Sequence, residues 1–134
     1  MAYYLASFVA YFVVSFALGI FWVLLLFKQR YQAASGGFAL ENPIFPIGFA
    51  GITLFAVAVI TAFSFAFPLL GPGYGAAFTI VLIMWMPHYV NNLGTAAKYK
   101  IEDRREWLLL ELGFNLLNVA VLAAAMRLVY LWFH

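Results

Sequence analysis

Two short charged stretches interrupt a chain that is otherwise almost continuous apolar sequence. Lys28 and Arg30 follow the first apolar run, and Lys98, Lys100, Arg104 and Arg105 separate the last two. Six of the seven basic residues therefore sit at two places, and the one other charge between Met1 and Ala97 is Glu41. A membrane-spanning helix needs about 20 apolar residues. Four such runs fit, over residues 2–27, 44–70, 76–97 and 107–133, and nearly exhaust the chain. Charged residues make up 9% of it, against about a quarter in soluble domains, so no soluble module is expected.

In lipid each backbone polar group must be satisfied within its own segment, which makes runs this apolar helical. The predicted fold is an all-α, up-down-up-down four-helix transmembrane bundle forming a single domain over residues 1–134. Ser35-Gly36-Gly37 and Pro43 predict a turn in the first connection, and Gly71-Pro72-Gly73-Tyr74-Gly75 a tight reversal in the second. Basic residues favour the cytoplasmic face. The first and third connections hold six Lys and Arg and the second none, which predicts both termini on the non-cytoplasmic side. A secretory signal carries its positive charge before a short apolar core. Here the basic residues follow a run of about 25 residues, so a retained span is expected. Arg127 is expected to snorkel to headgroups beside Tyr130 and Trp132.

Polar residues inside the last two runs share faces. His88, Asn91 or Asn92, and Thr95 recur at helical spacing, as do Glu111, Asn115 and Asn118. A hairpin centred near Asp103 would set Thr95 level with Glu111, Asn91 with Asn115, and His88 with Asn118. An ionised carboxylate at that depth is costly, so Glu111 is expected to be protonated, hydrogen-bonded or open to a wet vestibule. This ladder fits three readings. It can be helix-to-helix glue, since interhelical hydrogen bonds in membranes are worth about 0.6–2 kcal/mol each. It can be a polar pocket or proton path with Glu111 and His88 as its titratable groups, or a face covered by a partner or second copy. Pro87 removes a backbone donor, which predicts a kink and frees the Ile83 carbonyl. Gly19, Gly48 and Gly51 are expected to let the first two helices approach closely.

The chemistry this sequence leaves out is also informative. It has no cysteine, hence no disulfide and no thiolate ligand. His88 and His134 are too few for a haem or metal site within one chain, so no metal and no cofactor are expected. Phosphate loops, nucleophile elbows and paired catalytic carboxylates are missing, which argues against an enzyme. The basic clusters read as topology signals, so no nucleic acid is expected. Fifteen phenylalanines would suit lipid, and equally an apolar ligand such as a quinone, carotenoid or acyl chain.

Gly19-Ile20-Phe21-Trp22 with Phe27 and Tyr31, the Asn91-Asn92 pair, and a mid-helix asparagine in the last run resemble small bacterial four-helix membrane families of no established activity. That resemblance implies a multi-pass protein of the bacterial inner membrane and transfers no chemistry. The first run lacks the intramembrane glutamate of small multidrug exporters. Two functions are expected to compete. One is a non-catalytic accessory or assembly subunit, partnered by larger membrane subunits or by its own copies. The other is a small oligomeric transporter or channel using the His88–Glu111 face.

Overall fold

The computed structural model describes residues 1–36 and 45–134, and among them every regular element is helical. The elements are α1 (Ala2–Gly19), a π-helical segment (Ile20–Leu26), α2 (Lys28–Ser35), α3 (Phe45–Leu70), α4 (Tyr74–Lys98) and α5 (Arg104–Phe133). Among the described residues three helical stretches are long and apolar enough to cross a membrane: Ala2–Leu26, Pro46–Leu70 and Arg104–Phe133. The 25-residue α4 has the length, but His88, Asn91 and Asn92 lower its apolar character.

The first connection departs from expectation. Residues 28–35 are helical rather than loop, because Lys, Gln, Arg and Ala are good helix formers and Tyr31 N bonds Phe27 O at 2.9 Å. The turn comes at Gly36, whose φ of 63° closes α2 in the left-handed region with its N–H on Gln32 O. Glu41, Pro43 and the predicted helix start at Ile44 lie outside the described residues. At the other end of the chain, α5 starts at Arg104 instead of Trp107. Asp103 caps it, its side chain accepting from Glu106 N at 3.1 Å.

Packing runs α1 on α5, α5 on α4, α4 on α3 and α3 on α1. The contacting pairs are antiparallel. Tyr3 meets Tyr130 while Trp22 reaches Leu110, and Tyr3 bonds Ser64 while Phe12 meets Phe49. One core is built on Tyr11, Phe63, Phe67, Val81, Leu122 and Met126. A second, under α2, is built on Tyr31, Ala34, Ala96, Ile101, Trp107 and Leu110. Both chain ends meet at one pole, where His134 stacks on Tyr130 at 4.1 Å and meets Tyr3 edge-on at 5.0 Å. The same pole holds the α3–α4 turn, where Arg127 Nε donates to Pro72 O at 2.8 Å. Arg127 is thus tied to the turn rather than simply reaching for headgroups.

At the opposite pole α2 docks on the α4–α5 connection. Asp103 N donates to Ala34 O at 2.6 Å and Arg104 Nε to Ala96 O at 2.7 Å. Arg30 pairs with Glu106. The outer surface carries Leu5, Val9, Leu54, Phe65, Ile83 and Leu128, all well exposed. That is the inverse of a soluble protein's surface and what a lipid-facing wall requires.

Candidate intramembrane polar site and cleft

The polar residues of α4 and α5 form no single ladder. The α4–α5 connection is centred near Ile101, two residues before the expected centre, because the Asp103 cap starts α5 early. The register shifts accordingly, and Asn92, not Thr95, stands beside the Glu111 carboxyl. Thr95 instead turns its hydroxyl back to Asn91 O at 3.0 Å. Asn115 Nδ2 donates to Glu111 O at 2.8 Å within its own helix. Asn118 is fully buried, and both of its amide heteroatoms lack a hydrogen-bond partner among the described residues.

Glu111 gains a neighbour that the sequence did not suggest. Tyr31 of α2 lies beside its carboxyl, with Trp22 next to Tyr31. Trp22 is pinned by its Nε1 donating to Leu110 O at 3.1 Å, and it sits where Gly113 leaves room. A Cβ there would fall 2.9 Å from Trp22 Cζ2. Burial, and then the Glu111 charge, push the Tyr31 hydroxyl above the ordinary tyrosine range. Its Oη and Asn92 Nδ2 both lack a hydrogen bond of ordinary geometry. Glu111, Asn92, Tyr31 and Trp22 thus form one polar group under α2.

The second polar group lies deeper and centres on α1. The buried residues of α1 are Tyr3, Ser7, Tyr11 and Ser15, one every four residues and every one a hydroxyl. Exact helical spacing makes this row legible in the sequence, but serine and tyrosine in an apolar run resemble ordinary filler. The register set by Tyr3 against Tyr130 and Trp22 against Leu110 puts Asn118 level with Ser15. Tyr11 Oη faces Ser15 and Trp85, yet Tyr11 Oη, Ser15 Oγ and Trp85 Nε1 close no hydrogen bond. Ser7 Oγ likewise has no partner among the described residues, while several other helical hydroxyls are satisfied. Thr53, Thr61, Ser64, Thr79 and Thr95 each bond the carbonyl four residues back.

Open space lies beside this group, although none of these three heteroatoms is exposed to it. A cleft of about 310 Å³ runs along α1 past Ser15, Gly19, Ile20 and Val23 to Trp85 and His88. A second, of about 220 Å³, shares Ser15, Ile52, Trp85 and His88 and adds Tyr11 and Gly51. The expected close approach of α1 and α3 through glycine is absent. A Cβ on Gly48 or Gly51 would meet nothing, and one on Gly19 would meet Phe114 of α5. Missing side chains thus open the cleft instead of tightening the helix pair. The π-helical segment supplies its far wall through Ile20, Val23 and Leu24, and such segments recur at functional sites. His88 stands at the mouth, exposed, with its ring 4.7 Å from Trp85 and 5.8 Å from Phe55.

One stripe of α4 points outward. α4 continues as helix through Pro87, so the helix is not opened there. Ile83, Pro87 and Asn91 are all exposed and four residues apart. Among the described residues no three His, Cys, Asp or Glu gather as metal ligands would. Comparison with protein families, characterised proteins and solved structures finds no match.

Proposed function

We propose that this chain is a four-span protein of a bacterial inner membrane, an up-down-up-down bundle with both termini on the non-cytoplasmic side. Within it the chain acts as a non-catalytic accessory or assembly subunit of a larger membrane complex. The observation that carries the reading is the outward stripe of α4. Proline at 87 leaves the Ile83 carbonyl without its helical donor, and Asn91 stands exposed one turn further on. Their apolar neighbours Ile83, Met86 and Val90 are exposed as well. An acceptor and an amide facing hydrocarbon are costly unless another helix satisfies them. A partner helix presenting a hydroxyl or amide side chain would do so.

The transporter reading finds less support in the interior. Beyond Asn118 toward the pole of the termini, the core is closed by Phe63, Phe67, Leu122 and Met126, each essentially inaccessible. A path would therefore have to form between copies. Native mass spectrometry of the protein gently extracted at endogenous level tests the proposal. A fixed-stoichiometry complex with larger subunits, lost on Asn91→Leu, is expected. A homo-oligomer that retains no foreign subunit would overturn the accessory role in favour of the transporter.

A further inference from the structure

Two cavities share a wall residue at the end of the first span, one apolar and one cationic. The larger cleft beside α1 runs from Ser15 past Gly19, Ile20 and Val23 to Leu24. Leu24 also lines a cavity of about 450 Å³ that Leu25, Leu26, Lys28, Gln29 and Arg30 complete. We propose that the pair seats one anionic glycerophospholipid, its phosphate against Lys28 and Arg30 and one acyl chain along the cleft. This rests on Ala2–Leu26 crossing a membrane and not on any subunit role.

The cations select the head. Lys28 is half-buried, and no carboxylate among the described residues pairs with it. Arg30 gives one Nη to Glu106 and rests over the Phe27 ring at 5.3 Å. That holds the guanidinium beside the cavity and leaves it further N–H donors. No Asp or Glu lines the cavity. A half-buried ammonium without a counter-charge calls for an anion, and a phosphate accepts from several charged donors at once. A zwitterionic head would bring its own ammonium to this wall and find no acid there. The cavity falls within the range of small-molecule sites, ~300–1,000 Å³, and basic pockets beside membrane helices suit anionic headgroups.

The cleft selects the chain. Phe16, Ile20, Val23, Leu24, Ile52 and Phe114 line it, while Ser15 Oγ and Trp85 Nε1 are fully enclosed and offer it nothing. No Lys, Arg, Asp or Glu lines it, so its wall is hydrocarbon as far as His88 at the mouth. The rise from Ser15 to Leu24 is ~13 Å at about 1.5 Å per residue. One leaflet of hydrocarbon is ~15 Å deep, half of the whole core. An acyl chain whose head sits at Lys28 would therefore lie along the cleft toward the midplane, where Gly19 leaves it room.

The test uses the purified, delipidated chain in detergent, with dioleoyl phosphatidylglycerol and dioleoyl phosphatidylcholine as probes. The two share their chains and differ in head charge. Native mass spectrometry counts retained lipid, and resistance to SDS unfolding reads the stabilisation it brings. One phosphatidylglycerol per chain is expected, bound about fivefold more tightly than phosphatidylcholine. Lys28→Gln should erase that preference. Lys98→Gln, which removes a charge that lines neither cavity, should keep it. Gly19→Leu should weaken both lipids alike by filling the cleft. A Cβ at 19 meets Phe114 at an ordinary 3.9 Å, so circular dichroism should stay unchanged. Equal binding of the two lipids, or equal effects of the two lysine variants, would overturn the proposal and leave a diffuse cationic surface. Lipid binding untouched by Gly19→Leu, or full protection by glycerol phosphate alone, would overturn it too, in favour of a site for a soluble anion.

Discussion

Removing the unused hydroxyls should make the empty protein more stable. Tyr11→Phe deletes one oxygen that is buried and makes no hydrogen bond, and Ser15→Ala deletes another. A buried polar group left unsatisfied costs about 1–3 kcal/mol, while polar contacts within membranes are usually worth less, about 0.6 kcal/mol on average. Each substitution should therefore stabilise the ligand-free chain by about 1 kcal/mol. The two sites face each other, so the pair need not be additive. Reversible SDS unfolding in mixed micelles, followed by circular dichroism, reads the change. Thr79→Val is the control, because its hydroxyl already bonds Gly75 O at 2.8 Å and no comparable gain is expected. A loss of about 1 kcal/mol or more in either variant would mean that the hydroxyl is paired in the native state, and would refute the reasoning.

Gly113→Ala should destabilise the chain by about 1 kcal/mol net, since overpacking against Trp22 (about 1–3 kcal/mol) exceeds the helix-propensity gain of about 1 kcal/mol. The same unfolding titration, repeated in a Trp22→Phe background, should show that penalty shrink; an unchanged penalty would place the strain elsewhere. Tyr31 gives a pH signature. Its hydroxyl is held above the ordinary tyrosine value of about 10, so the stability it contributes is intact below that pH and is lost as pH rises further. Between about pH 9 and 11 the parent should lose more stability than Tyr31→Phe, and parallel curves would show that Tyr31 titrates normally.

Sequence and structure agree most closely where the argument rests on whole segments, and they part where it rests on register. Apolar length was enough to place the helices Ala2–Leu26, Pro46–Leu70 and Arg104–Phe133, because lipid-compatible backbone has few other options. Pairing across the last hairpin was a different matter. It depended on the centre of a five-residue connection, Tyr99 to Asp103, and the Asp103 cap moved that centre by two residues. A centre moved by two displaces each partner by three to four residues, about one helical turn, and it exchanged Thr95 for Asn92 beside Glu111. Tyr31 was hidden for a related reason: its segment reads as a loop between spans, and only the docking of α2 onto Asp103 and Glu106 brings it over the carboxyl.

The hydroxyl row of α1 was visible as spacing but not as meaning. Small-residue positions in a membrane helix normally announce contact, and the glycines of α1 and α3 were read in that way. Here Gly19 and Gly51 line the clefts beside Ser15, and the missing side chains are what keep them open. α1 buries four hydroxyl-bearing residues and no aliphatic side chain, so its buried apolar area comes from the rings of Tyr3 and Tyr11. Partly buried residues such as Phe8 and Val14 at the core edge and Phe12 against Phe49 add to it. A bundle selected for packing alone would place leucine at 7 and 15. Ser15 stands level with Asn118 and Trp85, so polar atoms without a partner among the described residues gather at one depth of the bundle.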